Sequence, residues 1–167
     1  MKKMTEKNLG DAFTGESQAH MKYMIFAEKA VEENLTNIAR LFKANSYAEQ
    51  IHARNHLRAL GEIKSTAENV ATAVEGEDFE VDEMYPTYIK IAQEQSEKQA
   101  EVSTTWALAA EKVHAELYRQ AKEALSQGRD LEIGAIYVCP VCGFTMEGEA
   151  PEKCPVCNTP REKFNEF

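Results

Sequence analysis

Apolar positions follow a helical period through the first three-quarters of the chain and lose it towards the end. Between Lys7 and Glu33, the residues Leu9, Phe13, Tyr23, Ala27 and Val31 fall near helical spacing, and Asn34 is a natural stop. A second period carries Ile38, Leu41, Phe42, Ala48 and Leu60, with Thr36 placed to cap it and Gly61 to end it. Ser65 or Thr66 can cap a third stretch, which Gly76 and Pro86 interrupt, so a kink or two shorter helices are expected there. A fourth period runs from Glu97 to Gln127 through Trp106, Ala110, Val113, Leu117, Ala121 and Leu125, with Gly128 beyond it. Neither glycine nor proline occurs between Thr36 and Gly61 or between Thr87 and Gln127, as long helices require. Four such stretches predict an all-α four-helix bundle with a longer central connection. From Ile136 the pattern becomes strand-like and breaks around cysteines.

The helical part carries a repeated chemical pattern. Glu49 and His52 lie three residues apart, as do Glu111 and His114, so each pair puts a carboxylate and an imidazole on one helix face. With 24 Glu and 4 His in the chain, roughly 0.6 such pairs arise by chance, so the pairs alone decide little. Their setting decides more. Glu16 precedes the first pair by 33 residues and Glu77 precedes the second by 34. Each half of the chain therefore reads as a helix with one Glu, a turn, and a helix with Glu-x-x-His. Antiparallel stacking of the halves would bring Glu16, Glu49, His52, Glu77, Glu111 and His114 to one level of a bundle, the donor set of a carboxylate-bridged dinuclear centre. Solvated helix faces are the plainer explanation of any one of these residues. For the set it fails, because unpaired carboxylates on an apolar face each cost several kcal/mol. Oxygen-rich ligation with one His per metal suits iron or manganese better than zinc. The four glutamates balance two divalent ions, and Glu80, one turn beyond Glu77, is a candidate fifth carboxylate for an oxidised centre.

The tail differs in kind. Four of the five prolines and all four cysteines lie from Cys139 onward, a composition shift that places a domain boundary near Glu132 to Ala135. The expected division is a helical module at 1–132 and a small module at 136–167. Cys139-Pro-Val-Cys142 and Cys154-Pro-Val-Cys157 form two Cys-x-x-Cys knuckles, a metal signature in a chain with no other cysteine. Spacing alone leaves open a structural zinc ribbon or a redox-active iron in four thiolates. Gly143 and Asn158 follow the knuckles, and both tolerate the left-handed backbone that turns N–H groups towards sulfur.

Charge narrows the partners. The formal net charge is −9, which argues against nucleic acid or an anionic membrane surface. No apolar run is long enough to span a bilayer, and the N-terminal lysines have no apolar segment behind them, so the expected location is the cytoplasm.

Taken together, AFTGESQAHMKY around Glu16, GEDFEVDEMYP around Glu77 and Glu80, AEKVHAELY around Glu111, and VCPVCGF with KCPVCNTP resemble the rubrerythrin family over nearly the whole chain. The resemblance implies a ferritin-like bundle with a non-heme di-iron centre, followed by a rubredoxin-like domain holding one iron. By that resemblance the di-iron ligands are Glu16, Glu49, His52, Glu77, Glu80, Glu111 and His114, with Glu80 exchanging with His52 on one iron as redox state changes. Cys139, Cys142, Cys154 and Cys157 would hold the single iron, or zinc in recombinant protein. Tyr23 and Tyr85 match tyrosines near the family's di-iron site. Asn158 departs from the glycine common after the second knuckle, and His20 stands where an arginine is frequent; His20 is read as non-ligating and His56 has no assigned role. The implied activity is reduction of hydrogen peroxide to water, with electrons arriving from a reductase or separate rubredoxin through the one-iron site. A homodimer is implied as well. Two other classes fit parts of the pattern: a ferritin-like protein that oxidises or stores iron, and a non-enzymatic scaffold with a zinc ribbon.

Overall fold

The computed structural model describes residues 1–167. The chain divides into two compact units, Met1–Lys64 and Ser65–Phe167.

The first unit is a helical hairpin of α1 (Lys3–Glu32) and α2 (Thr36–Leu60). Helix α1 starts earlier than its apolar period suggested. Asn34 adopts a left-handed backbone with φ 61°, and the Leu35 N–H returns to the Ala30 carbonyl, which closes α1 as expected. The turn is so short that Leu35, not Thr36, becomes the residue before α2: its carbonyl accepts the first helical bond from Ala39, and no side chain caps this end. Gly61, at φ 74°, ends α2. The buried seam is made of small residues, Ala27, Ala30, Ala39, Ser46 and Ala53. Val31, Ile38 and Leu41, expected inside, are exposed, because each helix of a two-helix pair buries only one narrow stripe against its partner. Tyr23, Phe26 and Phe42 form an aromatic cluster with centroids 5.6–6.4 Å apart. His20 and Ser46 clasp the hairpin: the Ser46 hydroxyl lies 2.9 Å from both His20 Nδ1 and the His20 carbonyl.

The second unit begins at Ser65, whose side chain and that of Glu68 cap α3 (Thr66–Phe79) reciprocally in a capping box. A π-helical turn at Glu80–Met84 leads directly into α4 (Tyr85–Glu94), so the expected interruption is a widening, and Gly76 stays inside α3. Ser96, at φ 60°, makes the turn into α5 (Lys98–Ser126), and Gly128, at φ 70°, follows it. Helices α3 and α4 both pack along α5, and Arg119 on α5 pairs with Asp78 on α3. The tail forms a three-stranded antiparallel sheet of β1 (Ile136–Val138), β2 (Thr145–Glu147) and β3 (Asn165–Glu166) in the order β2-β1-β3. Strand β2 packs on α5 within this unit. No helix is long and apolar enough to cross a membrane.

Candidate metal centres

Each helical pair brings a carboxylate–imidazole trio together. In the first unit Glu16 from α1 meets Glu49 and His52 from α2; in the second, Glu77 from α3 meets Glu111 and His114 from α5. One donor atom from each residue lies within 4.8 Å of the others in its trio. The two trios repeat one geometry. His52 Nδ1 stands 2.8 Å from Glu49 Oε2 and 3.8 Å from Glu16 Oε1. His114 Nδ1 stands 2.6 Å from Glu111 Oε2 and 3.9 Å from Glu77 Oε2. The six residues thus come as two like trios, one in each unit. His20 and His56 join neither set.

The second trio carries a clear demand for a cation. Glu77 Oε2 is buried and no donor reaches it, so only a proton shared with Glu111 or a positive ion satisfies it. Burial, and then the neighbouring Glu111 carboxylate, push the Glu77 carboxyl up to about 7. Glu80 is raised as well, by burial and by the charge of Glu111, with His114 opposing. Tyr85 is raised by burial and by the charges of Glu80, Glu111 and Glu77, which ties it to this cluster. Tyr23 instead belongs to the aromatic cluster of the first unit. Two carboxylates and an imidazole around one point, one oxygen orphaned, fit a divalent iron. Beside this trio is a half-open cavity of ≈ 300 Å³, apolar through Leu117, Ile133 and Ile136 and polar at Glu77, His114 and Thr145.

The third set is the four cysteines. Their sulfurs lie within 4.8 Å of one another, with Cys139–Cys157 and Cys142–Cys154 at 3.5 Å. A metal with sulfur at about 2.3 Å in tetrahedral geometry needs S···S edges of about 3.8 Å, so the set fits an ion with little change. The knuckles are alike: Gly143 N–H donates to the Cys139 carbonyl and Asn158 N–H to the Cys154 carbonyl, each at 2.9 Å. Gly143 (φ 77°) and Asn158 (φ 63°) are both left-handed, as expected. Burial raises the Cys139 thiol, but N–H groups of Val141 and Cys142 aimed at its sulfur outweigh it and bring it down to about 6. Burial and the neighbouring thiols raise Cys142, and burial raises Cys154. One thiolate is ready at neutral pH and others await a metal to displace their protons.

Sequence reasoning missed two participants. Thr145 places its hydroxyl 2.8 Å from His114 Nε2, although nothing in the sequence pattern links the two residues. The π-helical turn that carries Glu80 was also unforeseen; Pro86 close behind two acidic residues was its one signal.

A helical scaffold with two Glu/Glu/His trios and a four-thiolate module defines a class: carboxylate–histidine iron proteins with an attached rubredoxin-like site. The rubrerythrin family model matches residues 7–122, and that of the rubrerythrin rubredoxin-like domain matches residues 137–165. Rubrerythrin-2 of Clostridium acetobutylicum is 42% identical, covering 98% of this chain and 97% of that protein. Nigerythrin of Nitratidesulfovibrio vulgaris is 35% identical over 98% of this chain and 86% of its own. A solved mixed-valent nigerythrin structure is similar with a TM-score of 0.56 at 35% identity, covering 98% and 86% of the two chains, and a fully reduced, all-ferrous one has the same TM-score at 34%. The chain belongs to the rubrerythrin family, with the ferritin-like helical fold and small cysteine module that this entails. Its class is that of iron-binding oxidoreductases tied to oxidative stress.

Proposed function

We propose that the chain is a non-heme di-iron peroxidase that reduces hydrogen peroxide to water, with electrons relayed through one iron at the four cysteines. The functional division is then a helical module at 1–132 and a rubredoxin-like module at 136–167. Glu16, Glu49 and His52 hold one iron, and Glu77, Glu111 and His114 hold the other, with Glu80 as the additional carboxylate. Cys139, Cys142, Cys154 and Cys157 hold the third. The balance is one peroxide, two electrons and two protons to two waters. Iron held by these residues would supply two-electron reducing power towards peroxide and, at the cysteines, a one-electron inlet.

The residues of the chain do the rest. Glu77 lines the cavity where peroxide would enter, so the carboxylate that would help hold the metal also borders the approach to it. Leu117, Ile133 and Ile136 keep that approach apolar and limit water. The observation that carries the reading is the packing of β2, just after the first knuckle, against α5 at His114. Iron storage needs no such inlet. The physiological setting we infer is the cytoplasm, as a homodimer served by a reductase or a separate rubredoxin.

The test is anaerobic loading with ferrous iron, reduction, and addition of peroxide in single equivalents. The visible iron–thiolate band should bleach on reduction and return with each addition, and peroxide consumption should continue with a chemical reductant. Iron uptake far beyond three ions per chain with peroxide unconsumed would favour storage. A colourless tail holding zinc, with no turnover, would leave only a scaffold.

A further inference from the structure

His114 has two ring nitrogens, and a metal can use only the one whose lone pair is free. Nδ1 faces the trio, 2.6 Å from Glu111 Oε2. Nε2 points away from it, 2.8 Å from Thr145 Oγ1. Thr145 is buried, with 6% of its surface exposed. Its single hydroxyl proton has a second place to go, the Gly143 carbonyl at 3.0 Å. Gly143 in turn donates its N–H to the Cys139 carbonyl at 2.9 Å, inside the first knuckle. When the Thr145 O–H goes to the Gly143 carbonyl, the bonds run in one direction: Nε2–H to the Thr145 oxygen, and the Thr145 O–H to that carbonyl. With its proton engaged there, the Thr145 oxygen presents lone pairs to Nε2, which must then carry a hydrogen. Nδ1 is then the nitrogen whose lone pair a metal can take. In the first unit the His52 ring has contacts only through Nδ1, to Glu49 and Glu16.

We propose that Thr145 is a positioning residue for the second trio: its hydroxyl fixes His114 with Nε2 protonated and Nδ1 aimed at the metal, anchored through Gly143 to the first cysteine knuckle. The proposal rests on reading the trio as a metal site. It makes the metal affinity of a helical site depend on a side chain of the tail module. Residues that orient a ligating imidazole through its second nitrogen are typically worth about 10–100-fold in metal affinity.

The test uses the full chain loaded with cobalt(II), whose thiolate band reports the tail and whose paramagnetism shifts the N–H protons of ligating imidazoles. In the wild type one such N–H should exchange slowly with D2O. In Thr145→Val, which keeps the shape without the hydroxyl, that proton should exchange rapidly, and affinity for one of the two helical cobalt ions should fall about 10–100-fold. Thr145→Ser should restore both readouts. If Thr145→Val disturbs the thiolate band, Thr145→Ala, which adds no bulk beside Gly143, decides by the same measurements. A slowly exchanging N–H and wild-type affinity in the variant lacking the hydroxyl would overturn the proposal, as would equal losses in Thr145→Ser. A wild type that binds cobalt only at the cysteines would remove the metal reading itself, a different failure.

Discussion

Glu77 offers the sharpest test of whether the second trio is built for a cation at the expense of the metal-free fold. The perturbation is Glu77→Gln, which keeps the shape and removes the charge. In the metal-free wild type the folded carboxyl titrates at about 7, against an ordinary value of 4.5. Between those values the folded state binds more protons than the unfolded one, so this group's contribution to stability falls as pH rises and levels off above about 7. A displacement from 4.5 to about 7 corresponds to an upper limit on the order of 3 kcal/mol. The Glu77 side chain is 19% exposed, so some solvent screening remains and about 1–3 kcal/mol is the expected range. The neutral amide of the Glu77→Gln variant suffers no such loss.

The assay is thermal unfolding of chelator-treated protein by circular dichroism, wild type and Glu77→Gln side by side, at several pH values. Near pH 4.5 the two should melt together. At pH 8 the variant should melt about 2–12 °C higher. With ferrous iron or cobalt added the order should reverse, because both proteins gain from the other two sites but the wild type gains more at this trio. A variant that is no more stable than wild type at pH 8, or is stabilised equally at all pH values, would refute the reasoning: Glu77 would then not be a strained, cation-seeking carboxylate.

Three further outcomes follow from the same geometry. Glu111→Ala should lose metal at the helical trio of the second unit while the four cysteines keep theirs, measured as metal per chain together with the visible thiolate band; full occupancy and turnover would contradict the ligand assignment. Ser65→Ala removes half of the reciprocal cap on α3 and should cost about 1 kcal/mol, or about 2–4 °C in melting temperature, without changing metal content. Glu80→Ala should still bind ferrous iron at both trios but slow down or shed iron over repeated peroxide additions, which a Glu75→Ala control should not; equal behaviour of the two would remove Glu80 from the site.

The donors were legible in the sequence because helices enforce a rigid spacing. Glu49 with His52, and Glu111 with His114, could only share a face, and their repeat with Glu16 and Glu77 pointed to paired helices. The knuckles were legible for the same reason, since Cys-x-x-Cys closes one tight turn around a metal. The partition of the six helical donors was legible too, because the repeat divides them by halves of the chain, Glu16 with Glu49 and His52 and Glu77 with Glu111 and His114, and the pairing of α1 with α2 and of α3 with α5 keeps that division. Thr36 misled as a cap because the short Asn34–Leu35 turn passes the first helical bond to the Leu35 carbonyl. Thr145 carried no signal, since a hydroxyl in a strand becomes informative only when a distant imidazole is brought against it.

The π-helical turn shows how a feature that reads as a breaker can build a site. Pro86 has no N–H, and its ring would crowd the carbonyl of Asp82, four residues back, in a regular α-helix. The chain meets this by widening the turn from Glu80 to Met84, so that the Tyr85 N–H bonds to the Glu80 carbonyl five residues earlier. In an α-helix the residue stacked one turn beyond Glu80 would be Met84. In the widened turn it is Tyr85, whose phenol feels the charges of Glu80, Glu111 and Glu77. The widening also begins at Glu80, the carboxylate raised by burial and by the charge of Glu111. Proline and phenol thus belong to one local arrangement: the wider turn accommodates Pro86 and sets Tyr85 among the charges of Glu80, Glu111 and Glu77.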